Sequence, residues 1–114
     1  MDDKNIKTVR KIVAFAEKAM LYCDGVGADD FGTNDMLVEA CVFNLIQIGE
    51  SVRLLDDGFV AQHGDIPWRK MKGLRNRMVH DYVGMNMLLI WDIINDLPVL
   101  VRQLNEISEN NHRE

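Results

Sequence analysis

Between Asn34 and Leu55 a single helical period carries two apolar stripes, so any fold must cover this segment twice. Leu37, Cys41, Leu45, Ile48, Val52 and Leu55 recur at steps of three and four as one stripe. Val38, Val42 and Ile46 make a second. A helix with one such stripe needs one neighbour, but this one needs two, for which its own bundle and a second subunit are the candidate sources. Thr33 or Asn34 is placed to cap its first turn.

The rest of the chain reads as helices around that segment. From Asp3 to Cys23, Ile6, Val9, Val13, Ala16 and Met20 form one stripe, with Lys7, Arg10, Lys11, Glu17 and Lys18 on other faces. Asp24 to Gly32 is rich in glycine and aspartate and is expected to be a loop. Asp56-Asp57-Gly58 ends the second helix, and Phe59 to Asp65 is expected to be a mixed connector holding His63. Proline suits the first turn of a helix, so Ile66-Pro67-Trp68 opens a third one, running to Asp81 with Trp68, Met71, Leu74 and Met78 inward. Gly84 interrupts it. Asn86 can cap a last helix whose buried face is Met87, Ile90, Trp91, Ile94, Leu97, Val101 and Leu104. Pro98 should kink that helix or divide it near Asn95, and the polar tail from Ser108 to Glu114 should fray. The expected fold is an all-α antiparallel bundle of four to five helices in a single domain, residues 1–114.

Composition narrows the function classes. The net charge of −5 supplies no overall basic field for coating nucleic acid, although it leaves room for a local basic site. Cys23 and Cys41 form no CxxC pair and lie among apolar residues, which predicts reduced core thiols and a cytoplasmic location. No signal peptide or membrane span is read from the N-terminal segment. His63 and His112 lack companions at metal-ligand spacing, and there is no glycine-rich phosphate loop. No metal or other cofactor is expected.

Chemistry concentrates in Gly73 to Tyr82. Arg75 offers a planar, permanently charged fork for a phosphate, and histidine, here His80, is the side-chain type that titrates near neutral pH unaided. On a regular helix Arg75 and Tyr82 share nearly one face. Arg75 and His80 diverge by roughly 140° with about 7.5 Å of rise between them. One copy does not easily aim both at one phosphate, whereas a second copy across a two-fold axis completes the site. Arg75 is in line with Trp68, Met71 and Met78, at the edge of a packed face, where an arginine needs a carboxylate or a phosphate. Glu50 is the carboxylate placed to serve.

Arg75-Asn76-Arg77-Met78-Val79-His80-Asp81-Tyr82 resembles the R-x4-H-x-Y signature of the HEPN superfamily, in particular its HepT-like toxin branch. Ile48-Gly49-Glu50, Ile66-Pro67-Trp68 and the run from Trp91 to Leu97-Pro98 agree in order, so the resemblance covers nearly the whole chain. It implies a dimerising helical bundle with a metal-independent endoribonuclease site at the dimer cleft. It further implies a toxin–antitoxin pair whose other member is a minimal nucleotidyltransferase (MNT) that silences the toxin by adding AMP to the motif tyrosine. By that resemblance Arg75 and His80 are the catalytic pair, Asn76 the polar residue that follows the arginine, and Tyr82 the AMP acceptor. A non-catalytic helical module that binds a nucleotide, RNA or a nucleotidyltransferase through the same surface is the alternative. The acidic net charge leans toward that module and the intact Arg75/His80/Tyr82 set toward the nuclease.

Overall fold

The structure is a computed structural model and describes residues 3–81 and 86–113. Among the described residues there are six helices and no strand: α1 (Asp3–Tyr22), α2 (Ala28–Thr33), α3 (Asp35–Val52), α4 (Asp57–Gln62), α5 (Trp68–Asp81) and α6 (Met87–Arg113). Four of them are long and two are single short turns of helix.

α3 is the hub, packed between α1 and α5, while α1 also packs on α6. Both stripes read from its sequence are therefore covered by the chain itself, and its two-sidedness does not call for a second subunit. Cys41, Leu45 and Ile48 are fully buried, with Val38, Val42 and Val52 nearly so. Asn34 caps α3, its Oδ1 accepting from the Leu37 amide at 3.1 Å, a bond worth about 1 kcal/mol.

Two cross-chain contacts fix α1 antiparallel to α3. At one end, Asn5 donates to Asp56 Oδ2 and accepts from the Asp56 amide, both at 3.1 Å. At the other, the Cys23 and Cys41 thiols meet at 3.5 Å in the core. Burial pushes the Cys41 thiol up to about 12, so these are protonated, unreactive packing groups. α1 also runs antiparallel to α6, tied by an Arg10–Ser108 hydrogen bond.

Four expectations need correction. Residues 24–32 are not all loop, because α2 forms there. Asp29 and Asp30 suit the positive end of a helix, and Phe31 is fully buried with its ring 5.0 Å from that of Trp91. Residues 59–65 are likewise not wholly a connector: α4 starts after Asp56, whose extended backbone begins a helix and whose carbonyl accepts from the Val60 amide. Pro98 does not divide the last helix. Ile90, Ile94, Leu97, Val101 and Leu104 are buried continuously across it, an apolar contribution larger than the roughly 3 kcal/mol that an interior proline costs. Nor does the tail leave the helix at Ser108, since α6 continues to Arg113.

Candidate functional site

α5 brings the motif to the surface. Met71, Leu74 and Met78 are buried against α3, which turns Arg75 to the edge of the contact and leaves Asn76 and His80 exposed. The close approach of the two helices occurs at Gly49. A Cβ there would lie 2.8 Å from the Arg75 amide nitrogen, 2.9 Å from its Cβ and 3.0 Å from the Met71 carbonyl oxygen. Only glycine lets the backbones come that near. The next residue on α3, Glu50, is thereby set directly beside Arg75.

The resulting contacts form a short chain. Arg75 Nε donates to Glu50 Oε1 at 2.8 Å, and Arg75 Nη1 donates to Asn76 Oδ1 at 3.0 Å. Glu50 is also 3.8 Å from Arg53 one turn on. The Arg75 and Glu50 side chains are 35% and 42% exposed, so solvent screens the pair and it is worth no more than about 1 kcal/mol. Its consequence is orientation: two guanidinium nitrogens are held by protein, and Nη2 has no protein partner among the described residues.

Of the residues singled out in the sequence, Glu50, Arg75 and Asn76 are thus brought together within one copy. His80 is not. It stands in the last turn of α5, exposed, and α5 is helical through both residues, so the divergence expected of Arg75 and His80 persists. Tyr82 and Gly84 lie outside the described residues. Asn86, as anticipated, sits just ahead of the last helix, its Oδ1 accepting from the Leu88 amide at 2.8 Å. Among the described residues no three His, Cys, Asp or Glu side chains cluster as metal ligands, and no helix is long and apolar enough to cross a membrane.

The part of the site that sequence reasoning missed is Gly49. Its signal was present, because glycine in a helix interior costs about 1 kcal/mol relative to alanine and calls for a packing reason.

Comparison with known proteins gives the family of the chain. A family model described as ribonuclease HepT-like matches residues 6–107. A provisionally named RNase of Caldanaerobacter subterraneus subsp. tengcongensis is 36% identical over 86 residues, covering 75% of this chain and 77% of its own. Another from Methanocaldococcus jannaschii is 35% identical, covering 72% and 69%. A provisionally named ribonuclease HepT of Thermococcus cleftensis is 30% identical, covering 71% and 74%. No solved structure matches at a comparable level of significance. With nearly the full helical bundle matched, and the R-x4-H segment inside the match, the chain belongs to the HepT-like family of the HEPN superfamily.

Proposed function

We propose that this protein is a metal-independent endoribonuclease, the toxin of a toxin–antitoxin pair. The observation that carries the proposal is the held guanidinium of Arg75, fixed by Glu50 and Asn76 at a solvent-facing edge with a donor that has no partner among the described residues, and His80 exposed on the same helix. The relatives' names as RNases support the same reading.

RNA supplies its own nucleophile. In this mechanism the 2′-oxygen attacks the adjacent phosphorus and the bond to the 5′-oxygen breaks. The 2′-hydroxyl proton is taken up and a proton is delivered to the leaving oxygen, steps for which His80 is the acid–base group. Arg75 holds the phosphate and offsets charge growing on its oxygens. The products are a 2′,3′-cyclic phosphate and a free 5′-hydroxyl. Because Arg75 and His80 of one copy diverge, the working site combines residues of two copies in a homodimer.

Replacing His80 by Ala tests the proposal. We expect it to abolish cleavage and toxicity with the helical circular dichroism unchanged, while EDTA leaves the wild type active. Cleavage that survives the substitution removes His80 from the chemistry, and loss with EDTA removes the metal-free mechanism. A variant that neither cleaves nor differs from wild type in toxicity would favour the non-catalytic binding module.

Control is assigned to Tyr82. A phenol with a pKa of about 10 is a poor base at neutral pH, so Tyr82 serves as AMP acceptor rather than catalyst. The added phosphodiester would compete with substrate phosphate for Arg75. Tyr82→Phe is expected to keep most activity yet escape silencing by an MNT-type nucleotidyltransferase supplied with ATP, with adenylate mapping to Tyr82 in the wild type by mass spectrometry. Equal silencing of both proteins would refute covalent control there.

A further inference from the structure

α5 reverses the charge of the molecule. Its 14 residues hold five of the 13 lysines and arginines (Arg69, Lys70, Lys72, Arg75 and Arg77) and one of the 18 acids, Asp81. The other 100 residues are left with eight cations against 17 acids. Helical geometry sorts these cations. At about 100° per residue, the sector swept from Arg75 round to His80 passes the buried Trp68 and then Val79, Lys72, Asn76 and Arg69 in turn, whereas Lys70 and Arg77 point away from it. Lys72 stands about 4.5 Å and Arg69 about 9 Å from Arg75 along the axis, toward the start of the helix.

Neither residue is explained by the fold. Both are exposed, and neither has an ion-pair or hydrogen-bond partner among the described residues. Arg69 also lies in the first turn of α5, which contains no acid, where the helix macrodipole disfavours positive charge. An anion laid along this sector would remove that penalty.

We propose that Arg69 and Lys72 form a phosphate-binding track for single-stranded RNA. They grip backbone phosphates flanking the one cleaved, on the side of the site toward the start of α5. This inference rests on the ribonuclease reading and extends it: an acidic protein captures RNA through one basic helix sector instead of an overall field. The contacts are to phosphate, so they set affinity and position and not base preference.

The test compares Arg69→Gln/Lys72→Gln with a charge-matched control, Lys11→Gln/Lys18→Gln, whose residues are exposed on α1. Cleavage of an oligouridine and of a dinucleotide is measured in otherwise wild-type protein. Binding of a fluorescent oligouridine is measured in the His80→Ala background across a salt series. On the oligouridine, the track variant should show a KM raised several-fold with kcat unchanged. On the dinucleotide, too short to reach the track, kcat/KM should not move. The slope of log affinity against log salt should flatten by about 1.4, two contacts at about 0.7 each for a single strand. The control should do none of this. An unchanged slope and KM in the track variant, or equal losses in the control, would overturn the track. So would intact RNA binding with weakened capture of a nucleotidyltransferase partner, which would reassign the sector to a protein. If wild type binds oligouridine with the expected salt slope but cleaves nothing, the track stands and the ribonuclease reading falls.

Discussion

Arg75 is the residue whose surroundings say most about its use. At the edge of a packed face one anion is enough for an arginine, yet Nε is held by Glu50 and Nη1 by Asn76 as well. Holding a flexible cation costs side-chain entropy, and under the proposed function that cost is offset by a guanidinium already aimed when a phosphate arrives. Lysine in its place keeps the charge but has one nitrogen, which cannot touch Glu50 through one donor and present a planar edge with another. Arg75→Lys should therefore lower kcat/KM by at least about tenfold, equivalent to roughly 1.4 kcal/mol in the barrier, with little change in melting temperature. Glu50→Gln keeps an acceptor for Nε and should cost less than the lysine change. Near-normal turnover by Arg75→Lys would make Arg75 a diffuse charge or a structural group. At this scale much was legible in the sequence. An arginine at the edge of an apolar face needs an anion, and Glu50 was the carboxylate in range. Lys72 and Arg69 were not legible as a group, because cations on a helix become a candidate track only once the neighbouring described elements are seen to offer them no partner.

At the scale of elements, the site exists because α3 and α5 cross closely at one glycine. Adding a methyl group at Gly49 brings it within 3.0 Å of backbone and Cβ atoms of α5, none of which is the flexible end of a side chain. α5 must then move outward, separating Arg75 from Glu50. Gly49→Ala should cost about 1–3 kcal/mol, as overpacked cores do, and lower kcat in the fraction that remains folded. Gly73 provides the opposite case on the partner helix, with nothing within 4 Å of where its Cβ would be. Gly73→Ala should stabilise by about 0.5–1 kcal/mol, the ordinary gain of alanine over glycine in a helix. Thermal melts of the two variants check the claim, and a loss of similar size in both would show that the crossing is not the cause. The long helices were legible from periodicity, since each buries at least one continuous stripe and α3 buries two. The short ones were not: α2 and α4 are six residues each, too brief to display a period, and what anchors them lies far away in sequence, Trp91 against Phe31 of α2 and Asn5 on Asp56 at the start of α4. Pro98 misled for a related reason, as local breakage lost to burial along the whole of α6.

On the whole-molecule scale the question is what completes the site. The internal stripes of α3 are satisfied by α1 and α5, so they supply no reason for a second copy. The outer face of α3 does. Met36 and Phe43 are 83% and 57% exposed, and helical spacing puts them in line with Glu50. Val79, 48% exposed, adds an apolar side chain to the α5 sector between Arg75 and Lys72. Apolar residues grouped on one face around the proposed catalytic pair are suited to an isologous interface, in which each copy buries the same patch against the other. That geometry also resolves the divergence within α5, because the Arg75 of one copy can then meet the His80 of its partner. A dimer should be seen by light scattering at about twice the 13.1 kDa chain mass, and Phe43→Glu should dissociate it. The sharper test mixes two inactive proteins, Arg75→Ala and His80→Ala, under conditions that exchange subunits. If each site draws its arginine from one copy and its histidine from the other, a mixed dimer has one intact site and one doubly empty site. Half the dimers are mixed at random and each has half its sites, so activity should return to about a quarter of wild type. The Phe43→Glu change placed in both proteins should prevent the recovery. If exchanged mixtures stay dead although mixed dimers are detected by native mass spectrometry, Arg75 and His80 do not form sites by pairing one from each copy.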